Sequence, residues 1–313
     1  MNAAPSTATT TPGLPRYDGS PGAPDDDYLS APAPELGALQ GAETNRTRTG
    51  WYPIDAALRR AMVIHALGGA VVLAVLGLLV TSLASSSLVP LDAPPWQYTL
   101  LGLMPAVGGL GGALAGLALG AAFPLLRRRK RASFVGDAGV QEVSEAGTRV
   151  LRFASATHMF GGKTRVIFNG SYTETRYSYE WRDAEGRVLF EISGTYDDRQ
   201  PLPPSHPIRF AEAAERAWTR HRLPRIADAM ERDRAATFAL RSGGSVVVRR
   251  GALETRVGSR CDQRTPWMSV DAGWLMLEHE GQPVRFCETS AIADFQVFMT
   301  VAPRLVTVQS AAA

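Results

Sequence analysis

The fold of this chain is decided by residues 61–89, AMVIHALGGAVVLAVLGLLVTSLASSSLV, and residues 97–126, QYTLLGLMPAVGGLGGALAGLALGAAFPLL. Neither stretch contains Asp, Glu, Lys or Arg. A helix rises about 1.5 Å per residue, so about 20 residues cross the ~30 Å hydrocarbon core of a bilayer. Both stretches are long enough, and they predict two transmembrane helices joined by a short external loop at residues 90–96.

Basic residues surround the two stretches and are absent between them. They are Arg46, Arg48, Arg59 and Arg60 before the first stretch and Arg127, Arg128, Arg129, Lys130 and Arg131 after the second. The loop carries Asp92 and no basic residue. Because positively charged flanks stay inside, we expect a multi-pass protein of the cytoplasmic (inner) membrane with both termini in the cytoplasm. The cluster at 127–131 is also a candidate site for anionic lipid headgroups.

Small residues recur along both predicted helices at a spacing of four. They are Gly108, Gly112, Gly116 and Gly120 in the second stretch and Ala66, Ala70 and Ala74 in the first. Such a stripe lets another helix backbone approach closely. The stripe predicts either packing of the two helices on each other or an intermolecular use, as a homo-oligomer interface or a lipid site.

The first 50 residues predict a disordered N-terminal tail, followed by an interfacial segment at 51–60. Ala, Pro, Thr, Gly and Ser dominate the tail, so few side chains can offset the entropy of ordering it. Its one distinctive patch, residues 17–28, contains three consecutive Asp residues between two Tyr. The patch is either a short docking motif or a solvated acidic linker.

After a basic linker at 127–134, the chain predicts a cytoplasmic antiparallel β-rich domain with packed helices. The predicted strands are 148–156, 165–168, 177–181, 187–192, 237–240, 245–249, 252–257, 267–270, 273–278 and 284–287. Asn169-Gly170 is a strong two-residue hairpin signal. Helices are predicted at 208–230, kinked or split by Pro224, and at 292–305. The strands-then-helix order occurs twice, at 135–235 and 236–305, followed by a tail at 306–313.

This part of the chain resembles the pleckstrin-homology-like domains of uncharacterised bacterial two-helix membrane proteins. The resemblance rests on Thr265-Pro266-Trp267-Met268-Ser269-Val270, then Gly273-Trp274-Leu275 and the final helix. Tyr179-Glu180-Trp181 before Asp183-Ala184-Glu185-Gly186 looks like a degenerate first copy. The resemblance implies a tandem fold in which a C-terminal helix plugs each barrel, and a role in lipid or protein binding.

No motif for catalysis, cofactors or metals emerges from the sequence, and we expect none of these sites. Gly161-Gly162-Lys163-Thr164 ends like a phosphate loop, but Thr157 stands where that loop needs its first Gly. Lys163 and Arg165, expected on an inter-strand loop, are further candidates for headgroup contact. Cys261 and Cys287 are expected to be half-buried thiols, and their separation in space is open.

Composition restricts the partners of the domain. Residues 132–313 hold 23 basic and 22 acidic residues, a net charge of +1. Such a balance lacks the basic stripe of a nucleic-acid-binding surface. We therefore expect a membrane-anchored, non-enzymatic adaptor or scaffold that binds the lipid bilayer and an unknown protein partner. Two alternatives remain: a subunit of a larger envelope assembly that packs through the glycine stripe, and an enzyme acting at the membrane surface.

Overall fold

The computed structural model describes residues 13–47, 50–51, 56–87, 95–127, 130–202, 206–257 and 260–308. The chain is an α+β protein that divides into a helical unit, residues 51–130, and a sheet unit formed by residues 1–50 and 131–313. The helices are α1 Ala56–Ser87, α2 Pro95–Arg127, α3 Pro207–Asp233 and α4 Phe295–Val301. The strands are β1 Leu39–Thr44, β2 Arg46–Thr47, β3 Gly50–Trp51, β4 Arg131–Gly136, β5 Gly139–Ser144, β6 Gly147–Arg152, β7 His158–Phe168, β8 Ser171–Arg182, β9 Val188–Tyr196, β10 Ala235–Ala239, β11 Ser245–Arg249, β12 Ala252–Val257, β13 Arg260–Thr265, β14 Trp267–Asp271, β15 Trp274–His279, β16 Gln282–Glu288 and β17 Thr307–Val308.

The helical unit is a hairpin of α1 and α2, with bounds close to the predicted stretches. Within its described part, α1 contains one segment, Met62–Leu83, that is long and apolar enough to cross a membrane. The apolar segment of α2, Leu103–Ala118, is shorter. Most of the predicted external loop, 90–96, lies outside the described residues.

Glycines of α2 lie directly against the backbone of α1. A Cβ added to Gly112 would lie 2.1 Å from the Gly69 carbonyl oxygen, and one added to Gly116 would lie 2.1 Å from the His65 carbonyl oxygen. A Cβ on Gly108 would meet the Leu73 carbonyl oxygen at 2.7 Å. As the residue number rises in α2 it falls in α1, so the helices are antiparallel.

The predicted alanine stripe of α1 lies on the same contact. Ala66, Ala70 and Ala74 all lie within 4 Å of a Cβ placed on one of the α2 glycines. The side-chain surroundings of Gly120 lie outside the described residues. Of the two predicted uses of the stripe, packing of one helix on the other is therefore the arrangement in this chain.

The N-terminal segment is folded, which corrects the prediction of a tail for the part of it that the structure describes. Strand β1 pairs antiparallel with β4, from Leu39 opposite Gly136 to Thr44 opposite Ala132, and completes the four-stranded sheet β1-β4-β5-β6. Tyr28 and Leu36 are buried in a small core with Phe134. Strands β4 and β5 add Ala132, Phe134 and Val143, so the apolar residues of the N-terminal segment share one core with these strands.

The acidic patch is part of this packing rather than a solvated linker. The Asp26 carboxylate accepts hydrogen bonds from the Ala23 amide and the Tyr28 hydroxyl. It also forms an ion pair with Arg16 at 3.5 Å. At the start of the patch, the Tyr17 hydroxyl donates to Ser133 Oγ on β4 at 2.9 Å. Asp26 and Tyr28 are therefore buried and Tyr17 contacts β4, whereas Asp18 and Asp25 are exposed.

The pairing of β1 with β4 also shortens the predicted basic linker at 127–134. Arg131 already belongs to β4, so the strand begins within that segment. The helical unit is thus inserted between two neighbouring strands of one sheet. The Asn45 amide donates to the Arg131 carbonyl oxygen at 3.1 Å, which places the two ends of the insertion side by side.

The first half of the sheet unit combines the four-stranded sheet, the three-stranded sheet β7-β8-β9 and the N-terminal part of α3. Trp181, Phe190 and Trp218 are among the largest side chains in its core. Helix α3 continues through Pro224, so this proline does not split it. The Asn169-Gly170 turn joins β7 to β8 with both residues at positive φ, which confirms the predicted hairpin.

The second half is similar: the four-stranded sheet β10-β11-β12-β13, then β14, β15 and β16, then α4, with the short β17 added to the second sheet after α4. Its core contains Phe238, Leu253, Met268 and Phe298, with Ile226 from the C-terminal part of α3. Strands β11 and β12 have the predicted bounds, whereas the predicted helix 292–305 is limited to α4 and the 3-10 turn Ala302–Arg304.

Asp294 joins the two halves. Its Oδ1 accepts from the Met159 amide at 3.0 Å and from Trp218 Nε1 at 2.7 Å. Its Oδ2 lies 3.2 Å from Arg222 Nε. The residue is 2% exposed and has φ +55°. All three donors belong to the first half, so one buried carboxylate of the second half ties the two together.

Candidate functional site

The predicted headgroup residues that the structure describes are largely engaged with carboxylates. Arg131 Nε lies 2.6 Å from Glu142, Lys163 Nζ lies 2.6 Å from Glu212, and Arg165 Nε lies 2.6 Å from Asp198. Lys163 and Arg165 lie within strand β7, not on a loop as predicted. Three cations with three carboxylates present little net positive charge to an anionic headgroup.

Of the other four residues of the basic cluster, only Lys130 has a described side chain. Arg127 ends α2, but its side chain, and Arg128 and Arg129 entirely, lie outside the described residues. Lys130 is partly exposed and precedes β4 directly. Of the predicted headgroup residues that the structure describes, Arg131, Lys163 and Arg165 pair with three different carboxylates instead of forming one site.

Charged side chains converge instead along one side of α3, in a region that we call the α3 cleft. It consists of two adjoining cavities of about 430 and 420 Å³. Its lining is Tyr17, Asp18, Glu43, Leu202, Arg209, Glu212 and Arg216 in the first cavity and Lys163, Glu212, Glu215, Arg216, Thr219, Arg220, Gln296 and Thr300 in the second. Glu212 and Arg216 belong to both. The N-terminal segment, β7, α3 and α4 all contribute to this one surface.

Glu43 is the most deeply buried carboxyl group of the cleft, at 6% exposed. It lies on β1, opposite Ser133. Burial raises its pKa to about 7, opposed by the charge of Arg16 and reinforced by that of Asp26. Near neutral pH this side chain is therefore a mixture of acid and carboxylate.

Glu215 on α3 is a second carboxyl group of the cleft with a raised pKa. Burial raises its pKa to about 7, while Lys163 and a hydrogen bond from the Tyr179 hydroxyl act in the opposite direction. Burial also raises the pKa of Tyr179. Perturbed carboxyl groups in a cleft are typical of functional sites, although packing alone can produce them.

The chemistry available in the cleft is exchange of protons and recognition of polar groups. Arg209, Arg216 and Arg220 are exposed, and the neighbouring Glu residues supply the opposite charge. A small-molecule pocket is usually enclosed and mostly apolar, whereas this cleft is open and charged.

Sequence reasoning missed the cleft because its walls come from four separate segments. Among its residues, Lys163 was a candidate for headgroup contact, and Tyr17 and Asp18 belonged to the patch 17–28 that the sequence offered as a docking motif or an acidic linker. The spacing of Glu212, Glu215, Arg216 and Thr219 on α3 was the available signal, since residues three or four apart share one face of a helix. Nothing in the sequence indicated that the N-terminal segment would cover part of that face.

Metal and thiol chemistry gain no support from the geometry. Among the residues that the structure describes, no group of three or more His, Cys, Asp or Glu side chains could hold a metal ion. Cys287 is a free, half-buried thiol whose pKa is raised to about 12 by burial. The side chain of Cys261 lies outside the described residues.

Comparison with protein-family models, with curated proteins and with solved structures finds no match for this chain.

Proposed function

We propose that this protein is a membrane-anchored, non-enzymatic adaptor. The hairpin of α1 and α2 crosses the cytoplasmic membrane twice, and the sheet unit presents the α3 cleft to a protein partner in the cytoplasm. The observation that carries the proposal is the insertion of the hairpin between the paired strands β1 and β4.

The exposed apolar surface of the helices supports the anchor. Leu67, Val71 and Leu83 of α1 are 64%, 63% and 67% exposed, and Leu110 of α2 is 66% exposed. An apolar surface that continues around a helix pair destabilises a protein in water, whereas a bilayer solvates it. In total length, the 32 residues of α1 and the 33 of α2 exceed the ~20 that cross a bilayer.

Strand pairing supports two crossings rather than one. Hydrogen-bonded strands must lie on the same side of a bilayer, so β1 and β4 share one compartment. A chain that leaves after β1 and returns before β4 crosses an even number of times. If α1 spans the membrane, α2 brings the chain back. The basic flanks then favour the cytoplasm as the shared compartment.

Ion pairing favours a protein partner over lipid headgroups. Lys163, Arg165 and Arg131 each have a carboxylate within 2.6 Å. Headgroup recognition by charge requires cations that are available to phosphates. The α3 cleft offers exposed arginines beside carboxyl groups, a pattern that complements a polar protein surface.

The composition of each half supports the resemblance to pleckstrin-homology-like domains. Four strands, three strands and a helix follow one another in each half, with β1 as the first strand of the first copy. In this interpretation the membrane hairpin is an insertion into the first loop of the first copy. Fold alone does not give function, and the adaptor role rests on the anchor and the cleft.

The anchor is tested by cysteine labelling in spheroplasts. Both native cysteines are replaced by Ser, and single cysteines are placed at Asp92 and at the exposed Ser155. A membrane-impermeant maleimide should label position 92 in intact spheroplasts and position 155 only after the spheroplasts are lysed. Labelling of both positions in intact spheroplasts, or release of the protein by alkaline carbonate, would contradict the anchor.

The adaptor role is tested by photocrosslinking of the full chain in its native membrane. The crosslinker p-benzoylphenylalanine replaces Arg216 in the cleft or, as a control on the same helix, the exposed Glu231. A discrete protein adduct at position 216 and none at 231 is expected. Equal adducts at both positions, or none at 216, would contradict a partner in the cleft.

A further inference from the structure

The hairpin between β7 and β8 carries two large apolar side chains at its end. Ile167 and Phe168 are 64% and 70% exposed, and they precede the Asn169-Gly170 turn directly. Phe168 is the more exposed of the two, and no other large apolar residue that the structure describes reaches its exposed fraction. Contiguous exposed apolar side chains are a feature of protein and membrane contact sites.

The end of this hairpin, residues 166–174, extends beyond the rest of its sheet, and we call it the hairpin tip. The third strand, β9, ends at Tyr196, opposite Thr175. The pairs Val166–Glu174, Ile167–Tyr172 and Phe168–Ser171 therefore have no third strand beside them. The tip is a two-stranded projection with its apolar residues at the far end.

The tip projects from the end of the sheet unit at which the chain connects to the helical hairpin. Val135 of β4 and Trp181 of β8 lie in one core. Four residues from each of them, towards the end at which β4 begins, lie Arg131 on β4 and Tyr177 on β8. Burial raises the pKa of Tyr177 and the charge of Arg131 opposes this, which places the two groups close together. From Tyr177 the tip continues for six residues, or ~20 Å.

We propose that the hairpin tip inserts into the lipid bilayer that holds the helical hairpin. Ile167 and Phe168 enter the headgroup–acyl boundary, with Tyr172 at the interface. This inference rests on the proposed anchor, because a bilayer is available to the tip only if α1 and α2 cross it. Aromatic and branched apolar side chains are the groups that favour such a boundary.

The charges around the tip predict how it inserts. Arg176 pairs with Glu174 at 2.8 Å, and Arg199 pairs with Asp197 at 2.9 Å while stacking on Tyr172 at 4.4 Å. Arg165 pairs with Asp198. Each cation near the tip thus has its own carboxylate. Insertion should depend on apolar area and be the same in neutral and anionic membranes.

The test uses the full chain without native cysteines, reconstituted into vesicles and labelled with the fluorophore NBD at one position. Ser171→Cys reports on the tip and leaves Ile167 and Phe168 in place. Leu79→Cys, on the exposed face of α1, reports on membrane insertion of the anchor. Ser155→Cys, at an exposed position of the sheet unit, is the control for a label that stays in water. Quenching by spin-labelled lipids is measured in phosphatidylcholine alone and with phosphatidylglycerol added.

The expected result is blue-shifted emission and lipid quenching at position 171, equal in the two membranes, and neither change at 155. Changing Ile167 and Phe168 to Ser in the protein labelled at position 171 should remove both signals, while the same change in the protein labelled at position 79 should leave its quenching intact. Water-like emission at 171 with quenching at 79 would overturn the tip proposal and leave the anchor intact.

Three further outcomes overturn the proposal. Loss of quenching at both 79 and 171 would remove the anchor as well. Quenching at 171 in anionic vesicles only would show that charge, not apolar area, holds the tip. A blue shift at 171 without lipid quenching would assign the tip to a protein surface, such as a second copy of this chain.

Discussion

Removing the carboxylate of Asp294 should uncouple the two halves of the sheet unit. Asp294→Ala leaves the Met159 amide, the Trp218 indole N–H and the Arg222 guanidinium without their acceptor in a buried site. Breaking a buried ion pair by deleting one partner costs about 3–5 kcal/mol. The alanine must also keep φ +55°, which costs ~1–2 kcal/mol more.

Two further substitutions separate these contributions. Asp294→Asn keeps an oxygen for Met159 and Trp218 and loses the charge facing Arg222, so we expect a loss of about 1.5–3 kcal/mol. Asp294→Gly loses every acceptor but relieves the backbone strain. Stability should therefore decrease in the order wild type, Asn, Gly, Ala.

The measurement is urea unfolding of the full chain in detergent, followed by tryptophan fluorescence and near-UV circular dichroism. Trp218 reports on the first half, and Trp267 and Trp274 report on the second. Asp294→Ala should broaden the transition or divide it in two, because the shared carboxylate links the halves. Asp233→Ala, which removes an exposed ion pair with Arg232, is the control and should change nothing.

The reasoning would be refuted by a loss of less than ~1 kcal/mol for Asp294→Ala with a single unchanged transition. It would also be refuted if Asn were as destabilising as Ala, since the two differ in the hydrogen bonds that they retain. An equal effect of Asp233→Ala would point to general fragility of the protein.

Three other predictions concern the helices, the buried carboxyl group and the insertion. Gly112→Leu should separate α1 from α2, seen as a lost disulfide crosslink between the helices and a lower thermal midpoint in detergent, whereas Gly111→Leu, with nothing within 4 Å of its Cβ position, should be neutral. For Glu43 the folded pKa, about 7, lies above the unfolded value, so its contribution to stability is complete below about pH 4.5 and disappears as pH rises through 7. Glu43→Gln should therefore match the wild type near pH 5 and exceed its free energy of unfolding by about 2–3 kcal/mol at pH 8. Replacing residues 46–130 with a turn of about four Gly and Ser residues should give a water-soluble, folded sheet unit, because the Asn45 amide and the Arg131 carbonyl oxygen are already hydrogen-bonded.

Each of these has a clear contrary result. Equal behaviour of Gly112→Leu and Gly111→Leu would mean that the close helix contact is not needed. A stability gain from Glu43→Gln that is the same at both pH values would mean that its protonation does not couple to folding. Aggregation of the shortened chain would mean that the β1–β4 pairing depends on the helical unit. Removal of residues 1–45 from the shortened chain, which deletes β1, serves as the unfolded control.

Local patterns were sufficient for much of the architecture. The charge-free runs predicted α1 and α2, the Asn169-Gly170 turn predicted the β7–β8 hairpin, and the strands predicted at 245–249 and 252–257 have the bounds of β11 and β12. The glycine spacing predicted a close helix contact and left its partner open. These features depend on neighbours in sequence, where side-chain period and backbone preference act directly.

Only the tertiary structure decided which distant segments meet. The N-terminal segment resembles a tail in composition, yet β1 is completed by β4 on the far side of the helical unit. Strand pairing depends on the partner edge as much as on the strand itself, and no local period encodes that partner. The same holds for Asp294, whose donors lie far away in sequence, and for the four-segment α3 cleft. The sequence by itself determined the two helices, the β-rich segments and most turns; long-range hydrogen bonds and shared burial determined that the helices interrupt a sheet.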